Sequence, residues 1–133
     1  DGDGAWAASG KPITALVDAC LQDSYFAQPN PKSTGREYFN LAWLKSRVTN
    51  LDDYSAADVQ ASLALVTARS IALAINAFNR AKHVYVCGGG VFNQHLTMAF
   101  CSVPKRVLIV FVKIVLAPDL CVRECLKMMI CSI

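Results

Sequence analysis

Four residues of strand character, Val84, Tyr85, Val86 and Cys87, run directly into Gly88, Gly89 and Gly90. Asn93 follows at the start of a segment that can be helical to residue 100. A β-branched and aromatic run that halts at glycine reads as a buried strand ending in a tight turn. Glycine there lets the backbone take positive φ and lets another molecule come close to the main chain. In open α/β sheets, ligands settle in the crevice beyond the carboxyl ends of the strands. The three glycines are therefore the candidate ligand contact. A glycine-rich turn between strand and helix also occurs simply as a turn, and the triplet alone does not decide between the two.

A second polar cluster is Lys32, Ser33, Thr34, Gly35, Arg36 and Glu37, set between Pro29 and Pro31 on one side and Tyr38 and Phe39 on the other. Polar and charged side chains around a glycine, bounded by prolines and aromatics, suggest an ordered loop that carries function. The equal alternative is a solvated turn in which Ser33 or Thr34 caps the next segment. It is not a P-loop, because the lysine precedes the Ser-Thr pair and no glycine-rich run leads into it.

The remaining reactive side chains are less organised. Cys20, Cys87, Cys101, Cys121, Cys125 and Cys131 form no C-x-x-C pair, and neither His83 nor His95 has a carboxylate or cysteine at a telling spacing. Reduced thiols and ordinary histidines are the expectation, with no metal site. The net charge of +3, without a basic run, gives no argument for a nucleic-acid partner. No leader peptide is expected from the acidic, glycine-containing start. The longest apolar run is about ten residues, half of the roughly twenty that a membrane span needs, so no membrane partner is expected.

These groups must be positioned by a fold, and 133 residues with 54% hydrophobic character can bury a core. Pro12 opens an apolar stripe at Ile13, Leu16, Val17, Cys20 and Leu21, which predicts a helix ending near Asp23. Tyr25 and Phe26 lead into a loop. A short helix is expected over 40–48. Ser55, with Asp58 three residues on, starts a long helix over 55–81, its small residues suited to close packing. A second buried strand is expected at 107–112, and residues 121–130 read as a helix through Leu126, Met129 and Ile130. Helix, strand, glycine turn and helix in series make an α/β unit.

Five stretches in order carry a family resemblance: D-G-D-G-A-W-A-A-S-G (1–10), Y-F (25–26), P-K-S-T-G-R-E-Y-F-N-x-x-W-L (31–44), D-V-Q-A-S-L-x-x-x-T-A-R-S-I-A (58–72) and V-Y-V-C-G-G-G-V-F-N (84–93). Together they resemble the C-terminal part of anhydro-N-acetylmuramic acid kinase, over roughly residues 1–100. The resemblance implies an incomplete α/β, actin-like (ribonuclease H-like) ATPase domain. Residues 1–103 would be a nucleotide-binding subdomain and 104–133 a divergent tail. It further implies a cytoplasmic, homodimeric phosphotransferase of cell-wall sugar recycling. That enzyme would use ATP, Mg²⁺ and water to open the anhydro ring of its sugar substrate and give N-acetylmuramate 6-phosphate. Gly88, Gly89, Gly90 and Asn93 would lie beside the adenosine part of ATP. Lys32 to Glu37 would form a cleft loop without individual roles.

The departures from the family are equally specific. Its glycine- and threonine-rich phosphate loop and its catalytic aspartate both lie ahead of the D-x-D-G motif, and nothing in these 133 residues corresponds to them. Phosphoryl transfer needs positioning, metal and a base, so no catalytic residue is assigned and the chain alone is expected to be inactive. The alternative is a truncated, non-catalytic nucleotide-binding remnant. After residue 91 the chain holds no glycine, and it gains cysteine and basic residues without matching the family's closing helix. A shifted reading frame would produce such an ending.

Overall fold

The computed structural model describes residues 2–29, 31–77, 83–86, 89–102, 108–113 and 127–131. The predicted first helix forms as α2 (Thr14–Leu21), preceded by a one-turn α1 (Ala5–Ala8). Tyr25 and Phe26, expected to lead into a loop, lie in a one-turn α3 (Ser24–Ala27), because the Asp23 carboxylate accepts the Tyr25 N–H at its start. The short helix α4 (Leu41–Arg47) is capped in the same way by Asn40, whose side-chain oxygen accepts the Trp43 N–H at 2.9 Å.

The long helix α5 (Ala56–Ala77) begins as the sequence predicts, with the Ser55 hydroxyl accepting the Asp58 N–H at 3.1 Å. The end expected near residue 81 lies outside the described residues. At 1.5 Å per residue its 22 residues extend roughly 33 Å. It buries mostly small side chains, Ala61, Ser62, Ala68 and Ala72, besides Val66, while Ile71 and Leu73 are exposed. Small residues win because α1, α2 and α6 (Gln94–Ser102) approach this helix closely. Gly10 shows how closely: a Cβ there would stand 2.1 Å from the Ala57 carbonyl oxygen. Asp58 and Ser62 secure that approach by accepting the Lys11 and Ile13 N–H groups at 2.7 and 2.8 Å.

By length and composition α5 is also apolar enough to cross a membrane, with a mean hydropathy of 1.3, which a search for the longest unbroken apolar run does not reveal. The core helix of a folded domain meets the same criterion, and the two core clusters seen among the described residues both draw on α5. One joins Leu16, Val17 and Cys20 to Leu44, Val48 and Val66. The other joins Ala68 to Val91 and Phe100.

Strand β1 (His83–Val86) pairs in parallel with β2 (Leu108–Lys113), with His83 opposite Leu108. Helix α6 lies between them in sequence, so β1, α6 and β2 make a β-α-β unit. The strand expected at 107–112 is thus present over Leu108–Lys113, and residue 107 lies outside the described residues. The helix expected over 121–130 is not what forms at its end. Residues Lys127–Cys131 are a strand, β3, antiparallel to β2, with Ile109 opposite Cys131. Apolar residues in a short run satisfy either periodicity, and the free edge of β2 supplies the backbone partners that favour a strand. Residues 121–126 lie outside the described residues.

Candidate functional site

Two assemblies stand on α5, and each contains part of the predicted site. The first is the glycine turn. Cys87 and Gly88 lie outside the described residues. Gly89 and Gly90 open a 3₁₀ turn (Gly89–Phe92) directly beyond the carboxyl end of β1. Val91 is fully buried beneath the turn against Ala68 and Phe100 and fixes it to α5 and α6. Gly90 is exposed, and a Cβ built on it meets nothing within 4 Å. Of the two reasons expected for glycine, positive φ and room for a close approach, the geometry at Gly90 matches the second. Among the described glycines positive φ belongs to Gly4, at 82°; at Gly90 what the missing side chain leaves is open space above the main chain.

Asn93 caps α6: its Oδ1 accepts the Leu96 N–H at 2.8 Å, and its own N–H donates to the Gly90 carbonyl at 3.1 Å. A ligand at this turn therefore meets an asparagine whose oxygen is already engaged, leaving the amide NH₂ to donate. The first residues of the chain complete the wall. The Asp3 carbonyl accepts the Gln94 N–H at 3.0 Å, and Gly4 faces the Asn93 side chain and His95. Of the two histidines, His83 is exposed on β1 and His95 is half-buried.

The second assembly carries the loop at 32–37. Lys32 is not presented to a ligand. Its ammonium donates to the carbonyls of Tyr25 (3.0 Å), Phe26 (2.8 Å) and Gln28 (3.3 Å), and lies 5.1 Å from the Tyr25 ring centroid. It closes the carboxyl end of α3, where unpaired carbonyls and the helix dipole favour a cation. Ser33, Thr34, Arg36 and Glu37 are exposed, whereas the Gly35 carbonyl accepts the Tyr38 and Phe39 N–H groups to form a tight turn. The rings of Tyr25, Phe26, Tyr38, Phe39 and Trp43 pack edge to face or stacked at 4.8–5.8 Å between centroids.

Beneath these rings sits the residue that sequence reasoning missed. Asp23 is fully buried, and its carboxylate accepts from the Tyr38 hydroxyl (2.8 Å), the Trp43 indole N–H (2.9 Å) and the Tyr25 N–H (2.8 Å). Arg47 pairs with it at 2.6 Å. Burial by itself pushes the carboxyl pKa up. The hydrogen bonds from Trp43, Tyr25 and Tyr38, with the Arg47 charge, outweigh it and hold the pKa below the usual aspartate value. The same contact raises the Tyr38 phenol, and burial raises the Cys20 thiol beside it. The only local sign of Asp23 is an aspartate directly before Ser-Tyr-Phe, a short helix start.

Between the aromatic cluster and α5 is an apolar pocket of about 230 Å³, lined by Phe26, Phe39, Trp43, Leu63, Val66, Thr67 and Ser70. Among the described residues no three His, Cys, Asp or Glu side chains converge as a metal site would require.

A parallel strand pair joined through a helix, with a glycine turn at Gly89–Phe92 after the leading strand, is an α/β arrangement of the kind in which ligands bind beyond the strand ends. Comparison with known proteins makes this specific. The family model described as "Anhydro-N-acetylmuramic acid kinase" matches residues 1–108, and the chain belongs to that family. It is 47% identical over 96 residues to the anhydro-N-acetylmuramic acid kinase of Shewanella sediminis, covering 72% of this chain and 26% of the relative. To the kinase of the same name from Cupriavidus pinatubonensis it is 50% identical over 99 residues, 72% of this chain and 26% of the relative. The Pseudomonas putida kinase is 50% identical over 100 residues, 72% and 27% respectively. The chain thus spans about a quarter of the length of these curated relatives.

Proposed function

We propose that this chain forms the adenosine side of the nucleotide cleft in a kinase of anhydro-N-acetylmuramate. The reaction opens the 1,6-anhydro ring at the expense of ATP and water and gives N-acetylmuramate 6-phosphate. The fold would be the C-terminal part of an actin-like, ribonuclease H-like ATPase domain, acting in a cytoplasmic homodimer. The observation that carries the reading is the empty side-chain position of Gly90, on a turn beyond β1, within the family's motif. A flat base or ribose needs that close approach to the main chain. ATP supplies the transferred phosphoryl group; the residues of this chain hold and orient its nucleoside end. The described residues offer no ligand set for Mg²⁺, and no step here is assigned to one.

Gly90→Val tests the reading, because a Cβ at this position meets none of the described residues within 4 Å. ATP affinity measured by calorimetry should fall about tenfold or more, a loss of roughly 1.4 kcal/mol, with unchanged far-UV circular dichroism. Equal affinity in both proteins removes the turn from the site.

A second reading is a chain that binds nucleotide without turnover. It concerns these 133 residues, which span about a quarter of the length of the curated relatives. ADP release in a coupled assay with the anhydro-sugar, by this chain alone, would overturn it. The division into 1–103 and a divergent 104–133 belongs to the same proposal, supported by a family match that ends at residue 108. An intact family ending in none of the three reading frames of the encoding DNA counts against it.

A further inference from the structure

The start of the chain touches the glycine turn at a point where no side chain fits. Asp3 and Gly4 both have positive φ, 53° and 82°, and make a left-handed turn ahead of α1. That turn presents the Asp3 carbonyl to the first N–H of α6, on Gln94, at 3.0 Å. It also sets Gly4 so near Asn93 that a Cβ would stand 2.1 Å from Oδ1, 2.9 Å from Cγ and 2.9 Å from the His95 Cβ. Oδ1 is the atom that caps α6 through Leu96, and the Asn93 main chain is the one that closes the 3₁₀ turn on Gly90. A displacement of the Asn93 side chain therefore reaches both the helix cap and the glycine turn.

We propose that Gly4 is a positioning residue for the nucleotide turn: it leaves the Asn93 amide the one place from which it can cap α6 and close Gly89–Phe92. The inference rests on the proposed nucleotide site and adds to it a residue outside the turn. Gly4 is kept without a side chain for two independent reasons, its left-handed φ and the contact with Asn93. The second is the one that bears on the ligand.

The test uses the full chain with ATP as the probe. Gly4→Ala should weaken ATP binding about tenfold or more and, with no nucleotide present, shift the Gly90 and Leu96 amide resonances. The double variant Gly4→Ala/Asn93→Ser should return the Gly90 and Leu96 amide resonances part of the way, because serine keeps a capping oxygen while removing the Oδ1 contact, the shortest of the three. A purely structural role would lower the melting temperature without that recovery. Unmoved Gly90 and Leu96 amides, or additive effects in the double variant, overturn the inference. If the unsubstituted chain does not bind ATP, the nucleotide reading fails while the amide shifts still decide the coupling. Should Gly4→Ala not fold, amide exchange at Gln94 in Asn93→Ala decides instead. Faster exchange supports the contact, and unchanged exchange refutes it.

Discussion

The Asp23 carboxylate holds the Trp43 indole N–H at 2.9 Å from twenty positions away, and so joins the end of α2 to the first turn of α4. With Tyr38 and Arg47 on the same carboxylate, one buried charge ties both ends of the loop at 32–37 to the core beneath it. The aromatic rings above are stacked on that anchor.

Removing the charge should therefore be costly. Asp23→Asn leaves Arg47, itself partly exposed, without its charged partner and turns two donors toward an amide, and the loss expected for such charge-assisted bonds is about 2 kcal/mol. Trp43→Phe removes one donor only and should cost about 1 kcal/mol. Urea unfolding followed by circular dichroism measures both; equal, small losses would mean that Asp23 is not the anchor.

The same carboxylate predicts a pH dependence. Its folded pKa lies below its unfolded value of about 3.9, so the folded state binds the proton less readily than the unfolded chain. The stabilisation is complete above the unfolded pKa and is lost as pH falls toward and through the folded one. Melting temperatures taken from pH 6 downward should hold steady and then drop below about pH 4. In Asp23→Asn the part of the drop due to this group disappears. A parallel decline in both proteins would assign the acid sensitivity elsewhere.

Lys32 should behave as a structural residue. Lys32→Met removes the cation that three carbonyls share, and a loss of about 1–2 kcal/mol is expected. Limited proteolysis should cut within 31–40 more readily, with or without ATP. Full stability combined with weakened ligand binding would return Lys32 to the cleft.

The five motifs, in their order, were enough to identify the family. Local rules also placed the Ser55 cap, the start of α5, and the strand that ends at the glycines, because each depends on residues within a few positions of one another. A ligand role for the triplet could be proposed only together with the loop at 31–40, since a glycine run by itself fits any turn.

What tertiary structure decided is which distant groups share one place. Nothing in the spacing of Asp23, Tyr38, Trp43 and Arg47 announces a single carboxylate with four partners, and nothing near Gly4 points to Asn93. Lys32 belonged to an expected cleft loop without a role of its own and is spent on main-chain carbonyls; a helix was expected over 121–130, and Lys127–Cys131 pair with β2 as a strand. Local periodicity is a property of a few consecutive residues. A hydrogen bond between residues far apart in the chain exists only once α5 has brought their elements together.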